Sequence, residues 1–364
     1  MRPKLAIIGA STGQKPLCEK ARQLGVETFC FAHADGAVCK DIVDHFYPIS
    51  ILDVEQIVKV CRDNGIQGVA SNASELTAEY SNLIAEKLGL VHTQYHAFLK
   101  IKDKEYVRQR TNSIAGLTPV LVSKGIPCQL IEATQRPFIL KPNTGSAKRG
   151  VMFVDDDTKI DTAIIQSDEM YIAEQYVDGQ EYSVESLSFK GEHHVIQITE
   201  KDCSGAPHFV ELGHHQPGRI SEENKEKVYE IIPKILASLG FDNGASHIEI
   251  KISENNEIYL IEVNPRGGGD FISNVLVSES SDFDYLKGII DIALNRFEFK
   301  PVNNVSFCGI YFLTAQTKRL LPYFEKDYPW MLYKEKDNEQ LIESKGNYDH
   351  NGYIIYKSIN KIKI

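Results

Sequence analysis

The chain has 364 residues, 42% of them hydrophobic and 25% charged, with a mean hydropathy of −0.26. These proportions predict a soluble globular protein of two or three domains and exclude a disordered chain, a collagen and a coiled-coil rod. Acidic side chains outnumber basic ones 50 to 40, and the net charge of −10 argues against a nucleic-acid partner.

The longest apolar runs, such as residues 5–8, are strand-sized, far below the ~20 residues that span a bilayer. The N-terminal apolar stretch is also too short for a signal peptide. Seven cysteines (18, 30, 39, 61, 128, 203, 308) include no C-x-x-C pair. Free thiols in a reducing cytosol are expected, not a disulfide framework or a zinc site.

Along the first 95 residues strands alternate with helices. Residues 4–8, 26–32 and 68–71 read as strands; 16–24, 53–64 and 74–88 read as helices that stop at Gly25, Gly65 and Gly89. The alternation predicts a parallel sheet with helices on both faces. The loop Gly9-Ala-Ser-Thr-Gly13 spells G-x-x-x-G and not G-x-G-x-x-G. A tight strand-to-helix turn is the first reading there, and a ligand-contacting loop the second.

From about residue 97 a charged helical stretch, K-I-K-D-K-E-Y-V-R, leads into strands at 137–141, 151–155, 171–176, 181–189 and 193–199. A helix at 222–239 ends on Gly240, and strands follow at 246–253 and 257–264. After residue 301 the chain turns to short strands and turns rich in Tyr, Asn and Lys.

The stretch S-H-I-E-I-K-I-S-E-N-N-E-I-Y-L-I-E-V-N-P-R-G-G-G, residues 246–269, carries the most chemistry. Asn255-Asn256 suits a two-residue type I′ hairpin turn. Glu249 then faces Glu262 and His247 faces Asn264, all on one side. Ile248, Ile250, Ile252, Tyr259, Ile261 and Val263 form an opposite core face. Two carboxylates directly opposite are destabilising without a shared proton or a cation. With an Asn amide beside them the donor set is all oxygen, which favours Mg²⁺ or Mn²⁺ over zinc. Arg266 offers a fork for carboxylate or phosphate, and the three glycines after it allow a nest of N–H groups near an anion. Carboxylates, metal, arginine and nest in one place suggest phosphoryl chemistry.

Lys141 ends a buried-looking strand, and T-G-S-A-K-R-G (144–150) follows it. This small-residue loop is either a mobile hairpin or a phosphate lid; it is not a Walker loop. Glu181, Ser183 and Glu185 share one strand face, whose acceptors suit an amino group or ribose hydroxyls.

Together H-I-E-I…L-I-E-V-N-P-R-G-G-G, P-F-I-L-K-P-N-T-G-S-A-K-R-G and A-E-Q-Y-V-D-G-Q-E-Y-S-V-E, in this order over about residues 1–300, resemble the ATP-grasp superfamily, in its carboxylate–amine ligase branch. The resemblance implies an α/β and α+β chain with the ATP-grasp fold. A Rossmann-like domain at 1–95 would precede an ATP-grasp domain at 96–300, with a lid at about 120–178, and a divergent lobe at 301–364. It implies that Lys104, favoured over Lys102, and Lys141 bind phosphates, and that Ser146 and Gly150 belong to the closing loop. Glu174 and Val177 would sit at the adenine and Glu181 at the ribose. Glu249, Glu262 and Asn264 would hold Mg²⁺ or Mn²⁺. Arg266 would stabilise the transferred phosphoryl group or the substrate carboxylate, and Gly267 and Gly268 would lie at the substrate. His214 or His215, in F-V-E-L-G-H-H-Q-P-G, would orient a carboxylate or take a proton; if that segment is extended, only one of them faces the site.

The implied activity uses ATP to convert a carboxylate, expected to be an amino acid, into an acyl phosphate. An amine then displaces phosphate, with ADP released. Catalysis would rest on Arg266, His214 and Lys141. Alternatives are a bicarbonate- or ribonucleotide-activating ligase of the carbamoyl-phosphate or purine type, acylation of a carrier-protein thiol, and a nucleotide-binding regulator without catalysis. The expected partners are a small carboxylate and an amine, with no nucleic acid and no membrane, for a cytoplasmic protein with a homodimer as the oligomer considered.

Overall fold

The structure is a computed structural model in which residues 2–145, 150–337, 340–344 and 349–364 are described. Ser146 and its basic neighbours Lys148 and Arg149 lie outside the described residues.

The N-terminal sheet follows β1 (Lys4–Ile8), α1 (Lys15–Gln23), β2 (Glu27–Phe31), β3 (His45–Tyr47), α2 (Val54–Asn64), β4 (Gly68–Ala70) and α3 (Glu75–Leu88). Its order is β3-β2-β1-β4 with every pair parallel, as the alternation predicts. Asp53 and Ser74 cap α2 and α3 through the N–H groups of Gln56 and Thr77, and Gly65 and Gly89 end them in the left-handed conformation. β1 is buried on both faces, which explains its unbroken apolar run. Ala6 and Ile8 pack toward Ile57 and Ile84 of α2 and α3, and Leu5 and Ile7 toward Leu17 of α1. The second face is completed from far along the chain, by Leu286, Ile289 and Ile290 of the helix Tyr285–Ala293. Gly68 lies so close to that helix that an added Cβ would fall 2.5 Å from the Ala293 carbonyl oxygen.

A second sheet contains β5 (Val122–Gly125), β6 (Phe138–Pro142), β7 (Met152–Val154) and β8 (Tyr171–Gln175), antiparallel in the order β5-β8-β6-β7. Phe138 and Leu140 turn into a small core with Leu130, Val154 and Tyr171. Strand alternation then sends Ile139 and Lys141 to the other face, across from Glu174.

The third sheet has eight antiparallel strands: β9 (Gln180–Phe189), β10 (Glu192–Cys203), β11 (Glu211–Gln216), β12 (Gly244–Ile252), β13 (Ile258–Asn264), β14 (Phe307–Phe312), β15 (Met331–Lys336) and β16 (Gly352–Ser358). Their order is β13-β12-β9-β10-β11-β14-β16-β15, so the strands after residue 301 extend the sheet that carries the acidic hairpin. One face packs Val184, Ile198, Ile248 and Ile250 against Ile231, Ile235 and Leu236 of the helix Glu222–Leu239. That helix keeps its expected bounds, with Ser221 as N-cap and Gly240 left-handed at its end. Among the described residues no helix is long and apolar enough to cross a membrane, and all seven cysteines are free.

Candidate active site

The acidic hairpin differs from its expected form in one instructive way. Glu249 pairs with Glu262 and His247 with Asn264, as the alternation predicts, but the register then slips and Ile250 pairs with Leu260. Ile261 is the extra residue of a β-bulge. The turn is not type I′: only Asn256 has a positive φ (61°), and the loop closes through Asn256 N–H to the Ser253 carbonyl and Ser253 N–H to the Glu257 carbonyl. Ile258 and Leu260 therefore replace Tyr259 and Ile261 in the core. Ile261 joins Glu262 on the wall of a cleft, and Tyr259 packs with Val120 and Val177.

This cleft lies between the second and third sheets and holds about 880 Å³, room for a nucleotide and a small acid together. Lys104, Lys141, Glu174, Val177, Glu181, Glu249, Glu262, Asn264 and Arg266 all line it. Lys104 Nζ stands 3.3 Å from Glu262 and donates to the Gly145 carbonyl (2.8 Å). Lys102 instead binds Glu79 (2.5 Å) at the first turns of α3. A break capped by Asp103 divides the expected single charged helix into Tyr95–Ile101 and Lys104–Thr111, which sets the two lysines apart.

Glu174 is buried and fully engaged. Arg108 grips it with Nε and Nη2 (2.7 and 3.2 Å), and Lys141 Nζ lies at 2.6 Å. Burial pushes the Glu174 carboxyl up, but the two cations outweigh it and hold it at about 2. Burial also lowers the Lys141 ammonium. Nearby, Lys251 donates to the Val177 carbonyl (3.2 Å) and lies 5.5 Å from the ring centres of both Tyr176 and Phe209.

Three further carboxylates, Glu211, Asp270 and Asp349, also stand on the cleft wall. His214 and His215, adjacent on the extended strand β11, are both fully buried and face opposite ways. His214 Nε2 stands 3.2 Å from Glu211 and 3.9 Å from Asp270, behind the cleft wall. Burial disfavours its charged form, yet the two carboxylates raise its pKa above the ordinary histidine value. His215 bonds Asp202 (2.9 Å) and the Tyr356 hydroxyl (3.0 Å); burial lowers its pKa.

The glycines after Arg266 also divide. The Gly268 N–H donates to Glu185 (3.1 Å), so the anion in that nest is one of the chain's own carboxylates. Glu185 is completely buried, with His247 Nδ1 at 2.6 Å, and is unavailable to ribose hydroxyls. Gly267 packs on Asn72 and Ser273. Gly269, and neither Gly267 nor Gly268, lines the cleft. Gly150 is likewise off the wall, which is formed there by Val151. Arg266 donates to the Gly267 carbonyl (2.8 Å) and makes no ion pair among the described residues, which leaves a cation on the wall for an incoming anion.

Sequence reasoning missed Arg108, Glu211, Asp270 and above all Lys201. Lys201 Nζ, buried on β10, contacts Glu249 (2.7 Å), Glu211 (2.8 Å) and Glu181 (2.9 Å). The one available signal was charge: three inward glutamates demand a cation. The donor chemistry of Glu249, Glu262 and Asn264 is that of a divalent-ion site. Glu249 and Glu262 are direct cross-strand partners on the cleft wall, Asn264 adds a carbonyl oxygen, and the set is the all-oxygen one that hard cations prefer.

The profile of the ATP-grasp domain matches residues 134–275. The alanine–anticapsin ligase of Bacillus subtilis (strain 168) is 28% identical over 254 residues, which is 61% of this chain and 53% of that protein. The D-alanine–D-alanine ligase of Flavobacterium psychrophilum is 31% identical over 187 residues, 48% of this chain and 56% of the relative. The chain thus spans about half the length of these curated relatives. Among solved structures, the L-amino acid ligase from Bacillus licheniformis superposes with a TM-score of 0.81 at 22% identity, covering 99% of this chain and 94% of the other. An N5-carboxyaminoimidazole ribonucleotide synthetase in complex with ADP reaches 0.78 at 16% identity, covering 99% and 94%. This chain therefore carries an ATP-grasp domain and adopts the ATP-grasp fold.

Proposed function

We propose that this protein is an ADP-forming ligase that activates the carboxylate of an amino acid with ATP and couples it to an amine. The observation that carries this reading is the polarity of the cleft. Cations Lys104, Lys141 and Arg266 line it, and carboxylates Glu211 and Asp270 stand together on its wall around His214, at 3.2 and 3.9 Å from Nε2. A triphosphate suits the first set. A substrate with its own ammonium group suits the second, and a ribonucleotide phosphate or bicarbonate does not. The amino acid ligases among the relatives support the same choice.

In this reading the adenine lies between Glu174 and Val177, the ribose near Glu181, and Lys104 and Lys141 on the phosphates. Glu249, Glu262 and Asn264 hold Mg²⁺ or Mn²⁺, which when bound neutralises phosphate charge. The substrate carboxylate attacks the γ-phosphorus. The bond from that phosphorus to the β-phosphate oxygen breaks, which yields an acyl phosphate and ADP. Arg266 stabilises charge on the transferred group, and its position fixed by the Gly267 carbonyl requires no reorganisation at the moment of reaction. The amine then attacks the acyl carbon, phosphate leaves, and Glu211, on the cleft wall with His214 behind it, receives the proton that the amine loses, directly or through water. Closure of the cleft protects the acyl phosphate from hydrolysis.

Incubation with pairs of amino acids, ATP and Mg²⁺, read by ADP and phosphate release and by mass spectrometry of products, tests the proposal. Peptide-bonded products are expected. No ADP release across a broad panel of acids and amines would overturn it, and ATP turnover stimulated only by bicarbonate would replace it with the carboxylating alternative.

A further inference from the structure

The ammonium of Lys201 sits inside a cage. It has three N–H donors, and three carboxylate oxygens, from Glu181, Glu211 and Glu249, lie at 2.9, 2.8 and 2.7 Å. Those oxygens are within 4.8 Å of one another, the spacing of ligands around a small cation. The lysine side chain is 1% exposed. Burying an ammonium is costly, and the three carboxylates offset that cost. The oxygen that Glu249 presents to Lys201, Oε1, also faces His247 Nε2 at 3.4 Å.

We infer that Lys201 is the exchangeable counter-ion of the metal-binding carboxylates, holding Glu249 while the cleft is empty and yielding it when a divalent cation arrives with nucleotide. The inference rests on the assignment of Glu249 as a metal ligand. A dication bound through Glu249 and an ammonium 2.7 Å from the same carboxylate repel each other. Lys201 keeps two other partners, Glu181 and Glu211, so it can withdraw from Glu249 without becoming an unpaired buried charge. A metal ion alone must displace the ammonium unaided. A metal ion on a triphosphate brings negative charge with it, and the exchange becomes favourable. Lys201 is thus a positioning residue that couples metal binding to nucleotide binding.

The test is Mn²⁺ binding without nucleotide, read by the electron paramagnetic resonance of free Mn²⁺, in wild type, Lys201→Met, Lys201→Gln and Lys201→Arg. Loss of the charge in the Met and Gln variants should tighten Mn²⁺ binding by at least about tenfold and make thermal stability depend on Mn²⁺, while Lys201→Arg stays near wild type. Glu249→Gln added to Lys201→Met should cancel the gain. Equal or weaker Mn²⁺ binding by Lys201→Met and Lys201→Gln overturns the inference. If both unfold in metal-free buffer, recovery of the fold with Mn²⁺ supports it, and failure to fold at any Mn²⁺ concentration overturns it. A parallel titration of wild type with Mn²⁺ and ATP judges the ligase reading separately: absence of binding there sinks that reading, while the nucleotide-free comparison still decides the role of Lys201.

Discussion

Glu249 and Glu262 are direct partners across β12 and β13, and each keeps its own ammonium, Lys201 at 2.7 Å and Lys104 at 3.3 Å. Bare opposition of two carboxylates would destabilise the hairpin, and removal of one would relieve it. The two lysines cancel most of that relief. Glu262→Ala should therefore abolish ADP-forming turnover while its stability in EDTA stays within about 0.5 kcal/mol of wild type. Thermal unfolding of both proteins in EDTA checks this, and a clear rise in melting temperature for the variant would mean that the repulsion is not compensated.

Glu174 neutralises two buried cations, Arg108 and Lys141. Glu174→Gln should cost about 3–5 kcal/mol at neutral pH, because it leaves those charges buried without a partner. The pH dependence has a definite sign. The folded-state pKa of Glu174 is depressed to about 2 from an ordinary 4.5, so its contribution is complete above about 4.5 and lost as pH falls toward 2. The stability gap between wild type and Glu174→Gln, from urea titrations across this range, should narrow on acidification. A constant gap would remove the ion pairs as its cause.

The two histidines of β11 should separate cleanly. His214→Asn is expected to lower kcat/KM for the amino-acid substrates and leave the Kd for nucleotide unchanged, since His214 contacts Glu211 and Asp270, the carboxylates assigned to the substrate ammonium. His215→Phe removes a partner of Asp202 and Tyr356 and should cost about 1–3 kcal/mol with little change in KM. Steady-state kinetics beside urea unfolding distinguishes the two effects; a shift in KM for the His215 variant would contradict the assignment.

Gly268 and Gly269 give a paired steric test. A Cβ on Gly268 would meet Glu185 Oε2 and Ile272 at 2.9 Å and His247 at 3.0 Å, whereas one on Gly269 has open space. Gly268→Ala should lose about 1–3 kcal/mol of stability, and Gly269→Ala almost none. Equal melting temperatures would indicate that the Glu185 nest yields freely.

The sequence made the strand pairing of the hairpin legible because alternation at Glu249, Glu262 and Asn264 is local. It could not show that Ile261 bulges, since Tyr259 and Ile261 are as apolar as the Ile258 and Leu260 that took their places, and either register buries a hydrophobic set. The parallel N-terminal sheet was readable from its caps and glycine stops, whereas β3, three residues long, carries no period. Most of the residues expected to bind phosphate and metal line one cleft. Lys201 escaped because T-E-K-D-C reads as an ordinary strand end; its meaning comes from Glu181, Glu211 and Glu249, which only the folding of four strands brings to it. His214 and His215 were harder still, because a run of two histidines has no periodic preference for strand or loop.

The helix Tyr285–Ala293, which closes the second face of the N-terminal sheet, has a consequence for how the chain is made. A ribosome extrudes the four parallel strands early, but the side of Leu5 and Ile7, covered in part by Leu17 of α1, is completed only by Leu286, Ile289 and Ile290. Until translation passes Ala293, the nascent sheet presents an apolar face to its surroundings, the kind of surface that chaperones engage and that a fragment ending near residue 95 would expose permanently.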